Sequence, residues 1–202
     1  MVKNKILDVH TVRGKNIRLS DYTHILAYHA CRAEDEQIFR IQGLKPYAKE
    51  DALATAIQKL ESDRVSREKI EAAFYPLWEK NQSLQPTKVW LMLETKEFMS
   101  ISTHYLIYGS EFINALAMHL GCRDRLKKIG KPMIVVCTIP ITDIAPCWLN
   151  DLEQDIKSKG TDNRSIAVSS VAPENIVDIL YPTGYVRDPY SWQKIKIGDG
   201  ID

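Results

Sequence analysis

The chain has 202 residues, with 27 lysines and arginines against 26 aspartates and glutamates and a formal net charge of +1 at pH 7. That balance excludes a global electrostatic footprint for nucleic acid or membrane and leaves only local patches. An apolar share of 45% excludes a disordered chain and suffices for one sizeable core, so a single domain over 1–202 is expected.

Cys31, Cys122, Cys137 and Cys147 form neither a CxxC pair nor a dense framework, and reduced thiols are expected. Met1-Val2-Lys3-Asn4-Lys5-Ile6-Leu7-Asp8 lacks the apolar run of a signal peptide, and no stretch approaches membrane-spanning length. A cytoplasmic protein with no membrane partner is the expectation. Neither repeats nor low-complexity linkers divide the chain.

The run His24-Ile25-Leu26-Ala27-Tyr28 predicts a short buried strand that delivers His29 at its end. Residues 33–42 read as a helix with Ile38 and Ile41 among charged neighbours, stopped by Gly43. Leu53, Ala56, Ile57 and Leu60 follow the helical i, i+3, i+4, i+7 spacing, and Ile70, Ala73, Phe74, Leu77 and Trp78 repeat it. Pro76 is expected to kink or end the second of these helices. Residues 89–93 and 103–108 are strand candidates, and Gly109-Ser110-Glu111 opens a helix carrying Phe112, Ile113, Leu116, Ala117 and Leu120.

A short helix over 123–128 ends at Gly130, and the nearly unbroken apolar run over 132–139 predicts a central strand with both faces covered. Residues 151–159 read as helix, and strands over 165–169 and 176–181 flank Ala172-Pro173-Glu174-Asn175. From Asp188 the chain is polar and Gly-rich, which predicts a surface tail over 188–202. Strands and helices mix without regular βαβ alternation, so the expected class is α+β, a mostly antiparallel split sheet with peripheral helices.

Tyr28-His29-Ala30-Cys31-Arg32, followed by Ile38, Ile41 and Gly43-Leu44-Lys45-Pro46, resembles the first motif of ADP-ribosyltransferase-like proteins. It is most similar to the branch holding RNA 2′-phosphotransferases and DNA-modifying ADP-ribosyltransferase toxins. The resemblance implies that His29, with the adjacent chain at Tyr28 and Ala30, holds the ribose and nicotinamide of NAD, which is the substrate. Tyr105-Leu106-Ile107-Tyr108-Gly109-Ser110 resembles the second, strand-then-helix motif, which implies that Tyr108 stacks on nicotinamide with Ser110 beside it. Ser165-Ile166-Ala167-Val168 leading to Pro173-Glu174-Asn175-Ile176 resembles the late strand and its continuation. The three blocks are short and cover a minor part of the chain.

Two departures bear on activity. Many members of the superfamily carry a glutamate on the late strand, and none of residues 164–171 is acidic here. Ala30 and Cys31 stand where Gly and Thr are usual. Breaking the nicotinamide–ribose bond builds positive charge on the sugar, which a carboxylate stabilises, and a pyrophosphate needs cations or exposed amides. Glu111 is the nearest candidate acid and Arg32 the candidate phosphate ligand; a different chemistry and a loss of activity are the other options.

Each residue also has a plainer reading. His29 fits a satisfied strand histidine, Arg32 a solvated helix-start charge, and Tyr105 and Tyr108 ordinary strand aromatics. Ser110 and Glu111 fit a helix cap and its dipole partner. The basic cluster Arg123, Arg125, Lys127, Lys128 and Lys131 fits a solvated helix end. His24, His29 and Cys31 lack a zinc spacing, so no metal is expected, and no phosphate-loop pattern occurs.

Three functions follow as expectations. The first is an NAD-binding ADP-ribosyltransferase-like protein acting on a protein or nucleic-acid acceptor, which requires His29, Tyr108 and the 165–171 strand to converge. The second is a non-catalytic interaction module of a bacterial defence or toxin system, with exposed apolar surface on the 53–60 and 70–78 helices. It is favoured if His29 and Tyr108 fall on opposite sides of the core. The third is an RNA 2′-phosphotransferase-like enzyme, which requires Arg32 and Arg123 or Arg125 to gather in one pocket. The oligomeric state stays open.

Overall fold

Two ten-residue strands organise the molecule. In the computed structural model, which describes residues 5–80 and 87–198, β2 (His24–Ala33) and β4 (Lys131–Pro140) pair antiparallel along their whole length, from His24 opposite Pro140 to Ala33 opposite Lys131. On the free side of β4 lies β6 (Ile176–Leu180). The other side of β2 is shared by β1 (Ile6–Leu7), parallel to it, and β3 (Val89–Met92), antiparallel and itself paired with β5 (Ser165–Val168). The class is mixed α+β with a mostly antiparallel sheet.

The pairing on that shared side is sparse. β1 reaches only His24 and Leu7's partner Ile25, and β3 meets β2 at a single pair, Tyr28 opposite Met92. The edge of β2 is therefore open between Ile25 and Tyr28, beside the ends of β1 and β3.

Helices cover both faces. One cluster gathers Ile25 and Ala27 of β2, Val135 and Cys137 of β4, Leu91 of β3, and Leu152 and Ile156 of α9 (Leu152–Ser158). α1 (Val9–Val12) adds Val9, and Trp148 and Leu149 of α8 (Pro146–Leu149) pack against it. The second cluster takes Ala30 and Ile134 from the opposite face of the same strands. Above it lie α3 (Lys49–Leu60), α4 (Arg67–Lys80), α5 (Lys96–Ser100), α6 (His104–Tyr108) and α7 (Glu111–His119). The alternation of β2 explains the division, since successive side chains of a strand leave on opposite faces.

The two amphipathic helices fold as their spacing predicts. α3 buries Ala52, Ala56 and Leu60, and α4 buries Ile70, Phe74 and Trp78, whose rings pack on Phe112. Pro76 is exposed, and α4 runs on past it to Lys80. The apolar stripes of both helices are thus spent on the core.

Gly43 closes α2 (Gln37–Gln42) as expected, with its N–H bonded to the Phe39 carbonyl. Its φ of 70° lies in the left-handed region, and a side-chain carbon there would collide with the Val171 carbonyl. That close approach lets Leu44 and Val171 exchange backbone hydrogen bonds of 2.9 and 2.8 Å.

Three expectations are corrected. Residues 29–33 extend β2 instead of following it, so His29 lies inside the strand and the helix starts only at Gln37. Residues 103–108 form α6 rather than a strand. A short apolar run carries no decisive period, and here three consecutive residues, Leu106, Ile107 and Tyr108, are buried in a turn closed by Gly109 at φ 81°. The stretch after Asp188 is not a surface tail within the described residues: β8 (Lys194–Ile197) pairs with β7 (Gly184–Arg187), and Val186 and Ile197 enter the second cluster. Residues 199–202 lie outside the described residues.

Candidate functional site

The residues singled out in the sequence separate on the sheet. His29 lies opposite Val135 and shares its face with Ile25 and Ala27, whereas Tyr108 belongs to the cluster on the other face. The imidazole Nδ1 is 3.0 Å from the Trp90 carbonyl, next to the point where β2 and β3 pair. A carbonyl only accepts, so Nδ1 carries the proton. Burial lowers the pKa of this ring, the hydrogen bond to Trp90 opposing that shift in part. His29 therefore acts as a neutral peg joining two strands. Ala30, its neighbour, is buried opposite Ile134.

Arg32 is fully engaged as well. Its guanidinium donates to four main-chain carbonyls, those of Ile129 (3.0 Å), Leu106 (3.0 Å), Lys127 (2.9 Å) and Gly130 (2.7 Å). It ties β2 to α6 and to the 123–130 turn. Every one of these carbonyls lies at the end of a helical turn or in a loop, where an intrahelical partner is lacking. The expected roles as helix-start charge and phosphate ligand both give way to an internal clasp.

Tyr108, Ser110 and Glu111 form a third group. Tyr108 donates a 2.5 Å hydrogen bond to Asp188, a side chain with 0% exposure that also accepts from Ser191 (2.7 Å) and the Tyr190 N–H (3.0 Å). Burial alone raises the pKa of Asp188, but these hydrogen bonds and Lys127 outweigh it and hold the group below the usual aspartate value. Arg123 lies 5.0 Å from the Tyr108 ring and 4.4 Å from the Tyr190 ring. Ser110 precedes α7 without a side-chain capping bond, and Glu111 is exposed and accepts from Tyr105 at 3.2 Å. Arg125 is spent on the carbonyls of Lys59 and Glu61. Arg32 and Arg125 are each tied to main-chain carbonyls, and neither of the two cavities described below is lined by Arg32, Arg123 or Arg125.

Of the expected set, Tyr28 opens onto a cleft among the described residues. It lines a cavity of about 280 Å³ at the open edge of β2, with Asp8, His10, Arg13, Glu94 and Lys96. Asp8 precedes α1 and caps it through the His10 N–H, and the chain then turns to bring Arg13 back. Glu94 and Lys96 follow directly on β3. Burial raises the Tyr28 pKa, and the Asp8 and Glu94 carboxylates add to the shift, so the phenol stays protonated.

Glu94 lines this cleft at 6% exposure. It accepts from the Thr161 hydroxyl at 2.5 Å and pairs with Arg13 at 3.4 Å and Lys96 at 3.5 Å. Arg13 also reaches Asp162 at 2.8 Å, and Lys96 contacts the same carboxylate. Glu97, almost fully buried, accepts from the Asn163 N–H at 3.2 Å, while its other oxygen has no partner. One oxygen each of Glu94, Glu97 and Asp162 lies within 4.8 Å of the others. Arg13 and Lys96 supply the counter-charge of Glu94 and Asp162.

A larger groove of about 470 Å³ runs between residues 16–19 and α9. Its charged walls, Asp151, Glu153 and Lys157, are all exposed, and it holds no buried polar group. The smaller cleft has the converging chemistry: an aromatic face, two cations and a buried carboxylate.

Of the cysteines, Cys137 is buried and Cys31 half-buried, and withdrawal from water pushes each thiol up to about 12, which leaves neither a nucleophile. Comparison with family models, with curated proteins and with solved structures returns no match for this chain.

Proposed function

We propose that the protein is an NAD-binding, ADP-ribosyltransferase-like transferase whose ligand enters the cleft of Tyr28, Arg13, Glu94 and Lys96, not the His29–Tyr108 site that the resemblance implies, because those two residues lie on opposite faces of the sheet and do not converge. The observation that carries this reading is Glu94, a carboxylate almost withdrawn from water yet facing a cavity with two cations beside it. The reaction needs a negative group against the sugar, because the bond to nicotinamide breaks with positive charge building on the ribose. Glu94 stands in that role in place of the missing late-strand acid. Arg13 and Lys96 meet the pyrophosphate, sharing themselves between ligand oxygens and the carboxylates they hold in its absence. The Tyr28 ring packs against the nicotinamide.

The cleft lies just below the range of about 300–1000 Å³ common for small-molecule sites. It accommodates the nicotinamide riboside half of the dinucleotide and leaves the adenosine half outside. His29 and Tyr108 have no ligand role in this version; both serve the fold.

Release of nicotinamide from NAD tests the reading. Glu94→Gln keeps shape and hydrogen bonding, and it is expected to slow release by about 100-fold or more while NAD binding changes by less than about threefold. A wild-type protein that neither binds NAD nor releases nicotinamide contradicts it.

One observation favours the interaction module instead: His29 and Tyr108 do lie on opposite faces of the sheet. Against it, the apolar stripes of α3 and α4 are buried rather than offered to a partner. Wild-type protein without NAD binding would leave this second reading in place.

A further inference from the structure

We propose that Glu94, Glu97 and Asp162 form a binding site for a hard divalent cation, with calcium as its ion. Exposed acids often gather on a protein surface without binding anything. Here two of the three are withdrawn from water, Glu94 at 6% and Glu97 at 2% exposure. Burying a carboxylate is costly unless donors or cations meet it, and the chain meets these two unequally. Glu94 has Thr161, Arg13 and Lys96. Glu97 has the Asn163 N–H on Oε1, while Oε2 has no partner among the described residues. The ion pairs of Arg13 and Lys96 go to Glu94 and Asp162, not to Glu97.

The Asn163 contact turns the Glu97 carboxylate toward the loop that carries Asp162. One oxygen of each acid lies within 4.8 Å of the others, and no histidine or cysteine belongs to the group. An all-oxygen donor set suits calcium and magnesium rather than zinc or copper. Calcium binds oxygen at about 2.3–2.6 Å, so one ion bridges two donors up to about 5 Å apart. Magnesium, at about 2.1 Å and held to octahedral geometry, bridges only about 4 Å.

The donors stand on a held framework. Glu94 follows β3, Glu97 lies in α5, and Asp162 lies in the loop that enters β5. β3 and β5 pair as far as Met92 opposite Ser165, and the Leu93 N–H donates to the Arg164 carbonyl at 3.0 Å. One ladder therefore fixes both sides of the site. Thr161 and Asn163 orient two of the carboxylates from behind, as the outer partners of metal ligands do.

Lys96 already places one positive charge between two of the acids, since its ammonium contacts both Glu94 and Asp162. Its side chain is 48% exposed and free to swing into solvent. With Arg13, that ammonium leaves one of the three formal negative charges uncompensated. Exchanging it for a doubly charged ion closes the balance. The exposed Asp162 and the adjoining cleft give the ion its path.

This site goes beyond the NAD reading and does not depend on it, so calcium is titrated without nucleotide. Calorimetry of the full chain with calcium chloride is expected to show one site with a Kd of about 10⁻⁴ M. Glu97→Gln keeps the shape but removes the charge, and it should weaken binding about tenfold or more. Asp162→Asn, at an exposed position where the fold is not at stake, should do the same. Lys96→Gln should tighten binding about tenfold by removing the competing ammonium. Calcium should raise the melting temperature of the wild type and leave that of Glu97→Gln unchanged.

Absence of binding up to about 10 mM calcium, roughly a hundred times the expected Kd, overturns the site. So does an affinity that both Glu97→Gln and Asp162→Asn leave unchanged. Magnesium binding as tightly as calcium overturns the choice of ion. Calcium binding by a protein that does not bind NAD supports this site while the NAD reading fails, and NAD binding without calcium binding does the reverse.

Discussion

Two buried carboxylates, each beside a tyrosine and a cation, do opposite things in this molecule. Asp188 is closed off: the chain supplies it with the hydroxyls of Tyr108 and Ser191, the Tyr190 N–H and Lys127, and neither of the two cavities described above is lined by it. Glu94 has Thr161, Arg13 and Lys96, but it borders a cleft, and its neighbour Glu97 keeps one oxygen unpartnered. A polar group whose partners all come from the fold is fastening the fold. One that borders open space, with cations beside it, is within reach of a ligand. Neither burial nor the presence of partners separates the two cases, since both carboxylates have them; the adjoining space does.

Substitutions can break that contrast, and the largest effect is expected at Arg32. Arg32→Leu removes one guanidinium and strands four carbonyls, so denaturant unfolding should show a loss of about 4 kcal/mol or more. NAD binding by the protein that remains folded should be unchanged. A mild stability effect with lost NAD binding would return Arg32 to the ligand site.

Next comes Asp188→Ala, expected to cost about 3 kcal/mol by leaving the Tyr108 and Ser191 hydroxyls without their acceptor. Its pH signature has a definite sign. The folded-state pKa lies below the unfolded value of about 3.9, so the stabilisation is complete above that value and is lost as pH falls through the folded pKa. Acid unfolding curves of wild type and variant should therefore approach each other below about pH 4. Curves that stay parallel would deny Asp188 its ionised role.

Gly43→Ala should cost about 2 kcal/mol, from the left-handed backbone and the clash with the Val171 carbonyl, read as a lowered melting temperature. His29→Ala is the smallest, about 1 kcal/mol for one hydrogen bond between β2 and β3, with NAD affinity unchanged. A large loss of NAD affinity in His29→Ala would place the ligand on the wrong side of the sheet for the Glu94 cleft.

The legible parts of the sequence were those set by local period. The unbroken apolar run of β4, the stripes of α3 and α4 and the glycine stop before Leu44 each follow from spacing or from one backbone angle. The polar sites were not legible in the same way, because their partners are far apart in the chain. Tyr108 and Asp188 are 80 residues apart, and Thr161 lies 67 residues beyond Glu94. The sequence does hold a weak sign of the cleft: Glu94-Thr95-Lys96 places an acid and a base directly after the 89–93 strand candidate. Nothing local distinguishes that pair from an ordinary turn. The first motif contains Tyr28, which lines the cleft, whereas its histidine, His29, does not.

Hydrogen exchange with and without saturating NAD locates the ligand and so tests the contrast most directly. New protection is expected at residues 8–13, 26–28 and 93–96, and no change at residues 104–111 and 188–193. Protection confined to the Tyr108–Asp188 region, or none anywhere, would contradict it.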